Sequence, residues 1–238
     1  MNTVLKQIYS SRCVLDSVGT ELNPFPDSIS YECGRRLYDH VREFSFSRTL
    51  ETGLAFGLSA LFFCQAHHDA GGGLHTAMDP FQGGPRRYRR TGLLNIERAG
   101  LTNYFQFFGK PAHAALSAMC ERGEQVDLVF LDGDHRFDYV LAEFLLVDLL
   151  LIPGGHIVFH DIWMPAVQKA VRFILRNRSY RIQESALGSK DAKETMDVLL
   201  TGAIVAHNPE LFATLRAPVC VLEKTGPDAR RWNHHAEF

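Results

Sequence analysis

The sequence predicts an α/β fold: a doubly wound, mainly parallel sheet with helices on both faces. Two observations carry that expectation. From Tyr31 to about Ala206, segments of helical periodicity alternate with short β-rich runs, the pattern of a parallel sheet joined by crossover helices. The β-rich runs are largely apolar rather than alternating, as strands buried on both faces are. No internal repeat or low-complexity tract interrupts the pattern.

In chain order, strands are expected at Ser47 to Leu50, Leu74 to Met78, Tyr104 to Phe108, Val126 to Leu131 and His156 to Phe159. Two more near Met196 to Ala206 and Val219 to Glu223 complete a seven-stranded sheet. Helical segments fall between them at Leu58 to His68, Pro85 to Ala99, Ala112 to Arg122, Phe137 to Leu150 and Ala166 to Arg176. Pro111 and Pro165 stand near helix starts, where a missing N–H costs nothing. Pro153-Gly154-Gly155 reads as a turn that stops one helix before the fifth strand, and Gln183 to Glu194 as a polar loop.

The 238 residues suit one compact domain with small additions: an N-terminal arm over residues 1–29, a main domain over 30–224 and a tail over 225–238. Lys and Arg number 25 against 27 Asp and Glu, so no global field draws the chain to nucleic acid or an anionic membrane. The first sixteen residues lack the apolar core of a secretory signal. The longest apolar run, Phe144 to Ile152, is broken by Asp148 and is far short of the roughly 20 residues of a membrane span. Five scattered cysteines without a C-x-x-C pair argue against a disulfide framework or a structural zinc, so a cytoplasmic location is expected.

A binding site is expected where Arg48-Thr-Leu-Glu-Thr-Gly-Leu-Ala-Phe-Gly-Leu-Ser59 turns from the first strand into a helix, since ligands bind outside the carboxyl ends of such strands. Gly53 and Gly57 permit positive φ and close backbone approach, and they equally suit a strand end packed tightly on a helix. The fingerprint G-x-G-x-x-G is absent. Glu51 stands where its first glycine would fall; a carboxylate there opposes a pyrophosphate and suits a cationic ligand, which disfavours a nicotinamide-dependent dehydrogenase or another α/β binding module. Asp79 ends the second strand, where an acid accepts hydrogen bonds from ribose hydroxyls or caps a turn. Phe107-Phe-Gly-Lys-Pro111 offers apolar surface for a purine ring.

These residues resemble the class I methyltransferases, which have a Rossmann-like fold, and among them the small-molecule O-methyltransferases related to catechol O-methyltransferase and the macrolide sugar O-methyltransferases. The resemblance runs from about Tyr31 to Glu223. It rests on the Glu51 turn, Met78-Asp-Pro, Phe130-Leu-Asp-Gly-Asp-His135 and Ile152-Pro-Gly-Gly-His-Ile-Val-Phe-His-Asp161, in order and at the right spacing. It implies S-adenosylmethionine as cofactor. Glu51, Gly53 and Ser59 would hold the methionyl end, with Gly57 permitting its approach. Asp79 would take the ribose, and Gly109 and Lys110 would lie near the adenine. Pro111 replaces a serine that some relatives turn toward the adenine amino group.

Methyl transfer from a sulfonium needs alignment and removal of the acceptor's proton more than covalent help. By the resemblance, Asp132 and Asp161 correspond to carboxylates that bind Mg²⁺ in the metal-dependent members; a further Asp or Asn is replaced by Ile162, while His160 favours a softer ion or none. His135 falls where the catechol enzymes carry a catalytic lysine. With an ordinary pKa near 6.5 it is the candidate general base, with helix capping as the alternative.

The pairs His67-His68 and His234-His235 read as solvated surface rather than metal ligands. Arg86, Arg87, Arg89 and Arg90 read as a solvated charged face; the alternative is a dock for RNA or protein, so nucleic acid is not the expected partner. The expected reaction is O-methylation of a small-molecule or sugar hydroxyl. Arg230, Arg231 and Trp232 suit either packing on the sheet edge or a homodimer contact.

Overall fold

The computed structural model describes residues 1–25, 27–83, 87–183 and 219–238. The strand expected over Met196 to Ala206, the polar loop beyond Gln183 and Arg86 lie outside the described residues. Seven strands form a mainly parallel sheet flanked by helices. The chain divides into two compact units, Met1–Ala118 and Met119–Phe238.

In the first unit, α1 (Thr3–Ser11) starts where the Asn2 side chain accepts from Val4 N, and it buries Leu5 and Ile8. A small antiparallel ribbon follows, β1 (Val14–Leu15) with β2 (Glu21–Leu22). Helix α2 (Tyr31–Phe44) is capped by Ser30 and buries Cys33, Gly34, Leu37, His40 and Val41, a stripe at helical spacing. Neither α1 nor α2 is among the helices expected from sequence. A Cβ on Gly34 would come within 2.1 Å of the Phe62 ring, so glycine is what allows α2 to lie against α3 (Leu58–Ala70).

Strands β3 (Arg48–Thr52), β4 (Leu74–Met78) and β5 (Phe105–Phe108) pair in parallel, Thr49 opposite His75 and Met78 opposite Phe108. The crossover from β4 to β5 holds α4 (Thr91–Arg98), shorter than the helix expected from Pro85 because Arg89 and Arg90 adopt positive φ before it. Helix α5 (Ala112–Glu121) leaves β5. The arm is packed: Tyr9 donates to Ile29 O at 2.9 Å and lies against Phe25, Tyr31 and Phe62.

The second unit holds β6 (Val126–Leu131), α6 (Phe137–Leu150), β7 (Leu151–Phe159), α7 (Pro165–Asn177), β8 (Tyr180–Ile182) and β9 (Cys220–Lys224). Strand β6 pairs with β7 in parallel, while β9 runs antiparallel to both β7 and β8. One expectation is corrected here. Pro153-Gly154-Gly155 does not precede the strand but lies inside it, as a bulge: Val126 faces Leu151 and Leu128 faces His156.

Asp148, the charge that interrupts the apolar run of α6, is buried and anchors the unit's far edge. Its carboxylate pairs with Arg178 and accepts from the Tyr180 hydroxyl at 2.7 Å, and Lys224 Nζ lies 3.4 Å away. Removing one member of such a network strands the others in low dielectric. Asp148→Ala is therefore expected to destabilise the chain by about 3–5 kcal/mol, read from urea unfolding midpoints.

Candidate functional site

The first candidate region is the turn after β3. Gly53, Ala55 and Gly57 all take positive φ, at 87°, 46° and 78°. A Cβ at Gly57 would lie 2.8 Å from Gly92 O, so backbone approaches backbone there and only glycine fits. Gly57 caps α3 without a side chain, so the helix's first N–H groups, including that of the buried Ser59, lie just beyond the turn.

The segments expected to meet a cofactor are brought together at the carboxyl ends of adjacent strands. Gly53 N donates to Met78 O at 2.9 Å, and Asp79 N donates to Phe108 O at 3.1 Å. Lys110 N also reaches Phe108 O, at 2.8 Å, and both Gly109 and Lys110 are exposed. The Asp79 carboxylate accepts from Ala55 N at 2.9 Å and from Phe81 N at 2.6 Å, so it clamps the turn to the end of β4. Gln82, not anticipated from sequence, braces the same point by donating to Ala55 O at 2.6 Å and to Asp79 Oδ2 at 3.2 Å.

Glu51 lies beneath the turn rather than on its surface, with its side chain wholly buried. Its Oε1 is 3.4 Å from His75 Nε2. His75 Nδ1 is 2.9 Å from Thr49 Oγ1, which is 2.8 Å from His67 Nε2. Phe63 stacks on His75 at 4.5 Å, and burial pulls that imidazole down to about 3, so it is neutral. His67 is thus a core residue, correcting its expected place on the surface, while His68, His234 and His235 are exposed. The sequence signal for this string was present: Thr49 and Glu51 share one strand face with His75 opposite.

The second region, in the other unit, follows β6 and β7. Asp132, His135, His160 and Asp161 each offer a ligand atom, all within 4.8 Å of one another. His160 Nδ1 is 2.9 Å from Asp132 Oδ1 and 3.5 Å from Asp161 Oδ2. His135 Nε2 is 3.1 Å from Asp161 Oδ2 and 3.5 Å from Asp132 Oδ1, but makes an aligned hydrogen bond to neither. Their side chains are between 12% and 26% exposed, shielded yet reachable.

Charge within this group shifts its titrations. Burial alone would raise both carboxyls, but the two imidazoles outweigh it and hold Asp132 and Asp161 below the usual range, with the Trp163 indole assisting at Asp161. In return Asp132 and Asp161 push His135 up to about 9. The ordinary value on which its expected base role rested does not hold, and in the bare chain His135 is a cation at neutral pH. Asp134 turns away to Arg136, so it neither holds His135 nor enters the group. Ile162 is fully buried and offers nothing.

Among the described residues, the arginines of the cluster each have an acidic partner. Arg87 pairs with Asp27, Arg89 with the buried Asp16 and Arg90 with Glu97, and Arg98 donates to Leu15 O and Asp16 O. Arg87, Arg89 and Arg98 thereby tie down the arm.

Residues 50–162 match a family model described as a methyltransferase domain. A curated protein of Acanthamoeba polyphaga mimivirus, itself uncharacterized, is 39% identical over 54 residues, which cover 21% of this chain and 24% of that protein. The chain thus spans about a quarter of the curated relative it matches.

Among solved structures, an O-methyltransferase from Bacillus cereus in complex with S-adenosylhomocysteine superposes with a TM-score of 0.61 at 17% identity, over 77% of this chain and 83% of that one. An S-adenosylhomocysteine-bound methyltransferase from Podospora anserina gives 0.61 at 16% identity over the same shares, 77% and 83%. The O-methyltransferase TomG from Streptomyces achromogenes, in complex with S-adenosylmethionine, gives 0.57 at 17% identity over 95% and 91%. At these identities the likeness is one of fold: the Rossmann-like methyltransferase sheet. The stretch matched by the domain model contains both candidate regions, from Glu51 to Asp161.

The neutral His75 at the floor of this domain makes stability sensitive to acid. Its folded value is about 3 against an ordinary 6.5, so between these limits the unfolded chain takes up a proton that the folded chain refuses. Its full contribution is present above about pH 6.5 and declines as pH falls toward 3. Urea midpoints measured at about pH 7.5 and 5.5 should differ more for the wild type than for His75→Gln; equal differences would remove His75 as the cause.

Proposed function

We propose that the chain is an S-adenosylmethionine-dependent O-methyltransferase acting on a hydroxyl of a small molecule. The observation that carries the reading is that the methyltransferase-domain match encloses every candidate site residue, from the glycine turn through Asp161. Its fold is shared with O-methyltransferases described in complex with S-adenosylmethionine or S-adenosylhomocysteine.

In this reading the methionyl end lies against the bare backbone of Gly53 and Gly57 and the N–H groups opening α3 at Ser59. Glu51 is a positioning residue, acting from beneath through the turn. Asp79 meets the ribose hydroxyls with lone pairs not taken by Ala55, Phe81 and Gln82, and Gly109 and Lys110 border the adenine. Asp132, His135, His160 and Asp161 serve the acceptor. In the bare chain His135 takes the acceptor's proton once it has released its own, with Asp132 and Asp161 holding the ring.

The two carboxylates and two imidazoles also fit a divalent cation: their donor atoms converge, and the buried His135 Nε2 lacks an aligned partner although two carboxylates are near. Asp132, Asp161, His135 and His160 would hold it. A bound ion supplies positive charge that favours the acceptor in its alkoxide form. His135 would then be a ligand, and the acceptor's proton would pass to solvent rather than to its lone pair. A small-molecule acceptor fits better than nucleic acid, because the described arginines of the basic cluster are engaged by Asp16, Asp27 and Glu97.

Calorimetric titration tests the cofactor. S-adenosylhomocysteine should bind in the micromolar range and NAD should not, and Asp79→Ala should weaken binding at least about tenfold through loss of a charged hydrogen-bonding group. Unchanged binding in that variant would overturn the placement of the ribose. His135→Ala should lower methyl transfer to hydroxyl acceptors by roughly 10² to 10⁴ while S-adenosylhomocysteine affinity stays near wild type. Turnover equal to wild type would remove His135 from the acceptor side.

A further inference from the structure

We infer that Asp132, His135, His160 and Asp161 form a mixed nitrogen and oxygen site for a first-row transition ion of the Mn²⁺, Co²⁺, Ni²⁺ or Zn²⁺ class, in preference to Mg²⁺. The inference deepens the proposed function by naming the ion and its ligands, and rests on that reading only for what the ion would serve.

Two features of the geometry carry it. The four donor atoms come from two separate segments, the ends of β6 and β7, and lie within 4.8 Å of one another, as ligands around a shared centre do. The imidazole of His135 is aimed between Asp161 Oδ2 at 3.1 Å and Asp132 Oδ1 at 3.5 Å with an aligned hydrogen bond to neither, and His160 Nδ1 approaches the same two oxygens at 3.5 and 2.9 Å, so both imidazoles converge on one pair of carboxylate oxygens.

The surroundings complete the arrangement. Trp163 Nε1 donates to Asp161 Oδ1 at 2.9 Å and leaves Oδ2 toward the two histidines, an outer contact of the kind that orients a ligating carboxylate. Arg136 neutralises Asp134 at the rim, so the acid beside the site is not competing for the ion.

The donor set decides the ion. Mg²⁺ demands near-octahedral oxygen and keeps its waters, whereas imidazole suits Mn²⁺ through Zn²⁺. Here two imidazoles stand among the ligands, and the position that could have offered a third oxygen is the buried Ile162. Tight binding of Mg²⁺ would leave two of the four ligands without a use.

The test uses the full chain, stripped with chelator and dialysed separately against Co²⁺, Zn²⁺, Mn²⁺ and Mg²⁺, with bound ion measured by elemental analysis and the Co²⁺ form by its visible ligand-field absorption. The expected result is about one transition ion per chain, not displaced by millimolar Mg²⁺, with affinity at least about tenfold lower in His135→Ala and in His160→Ala. Circular dichroism establishes that each variant is folded, and conservative His135→Asn and His160→Asn variants stand in for any that is not. A His234→Ala, His235→Ala double variant, altering only exposed tail histidines, should retain the ion. Retention undiminished in both cluster variants, equal affinity for Mg²⁺, or no retained ion would each overturn the proposal. S-adenosylhomocysteine binding to the stripped chain reports separately on the methyltransferase reading, so the two can fail independently.

Discussion

The Asp79 carboxylate is the contact on which the first candidate region depends. By accepting from Ala55 N it holds a turn containing three residues of positive φ, and by accepting from Phe81 N it fixes the chain leaving β4. Glycine takes such backbone freely, but Ala55 at φ 46° carries a side chain, and its left-handed conformation costs free energy that local propensity does not repay. A charged hydrogen bond from the neighbouring strand end, with Gln82 behind it, offsets the cost. The carboxylate expected to meet a ribose therefore also builds the surface on which a cofactor would lie.

Burial separates two groups of the same chemical type. Glu51 and His75 are sealed under α3, where desolvation outweighs attraction and His75 is neutral. Asp132, His135, His160 and Asp161 keep some contact with solvent, and there attraction between imidazole and carboxylate wins, holding the acids low and His135 high. The first arrangement suits a floor that must not change charge. The second suits a place where charge is exchanged with a proton, an acceptor or an ion.

Charged residues that look misplaced in the sequence have structural uses. Asp148 breaks an apolar helix because Arg178, Tyr180 and Lys224 converge on it. Arg87 and Arg89 precede a helix start, where cations are disfavoured, because Asp27 and Asp16 of the N-terminal segment meet them there. In both cases the partner lies tens of residues away.

The sequence by itself determined the α/β alternation and the positions of Glu51, Asp79, Asp132, His135 and Asp161 at or just beyond strand ends, because strand periodicity and turn chemistry are local. Strands β4 and β6 and helix α6 begin and end where periodicity places them. Helix α2 escaped that reading because its polar residues outnumber the buried stripe facing α3, and Pro153-Gly154-Gly155 read as a turn because a bulge and a turn use the same residues. Only the tertiary structure decided that Glu51 faces a buried His75, that His67 belongs to the core, and that His160 joins His135 between two aspartates. Those outcomes depend on which side chains meet across strands far apart in the chain, and on how much water remains around them. Neither quantity is carried by any one segment.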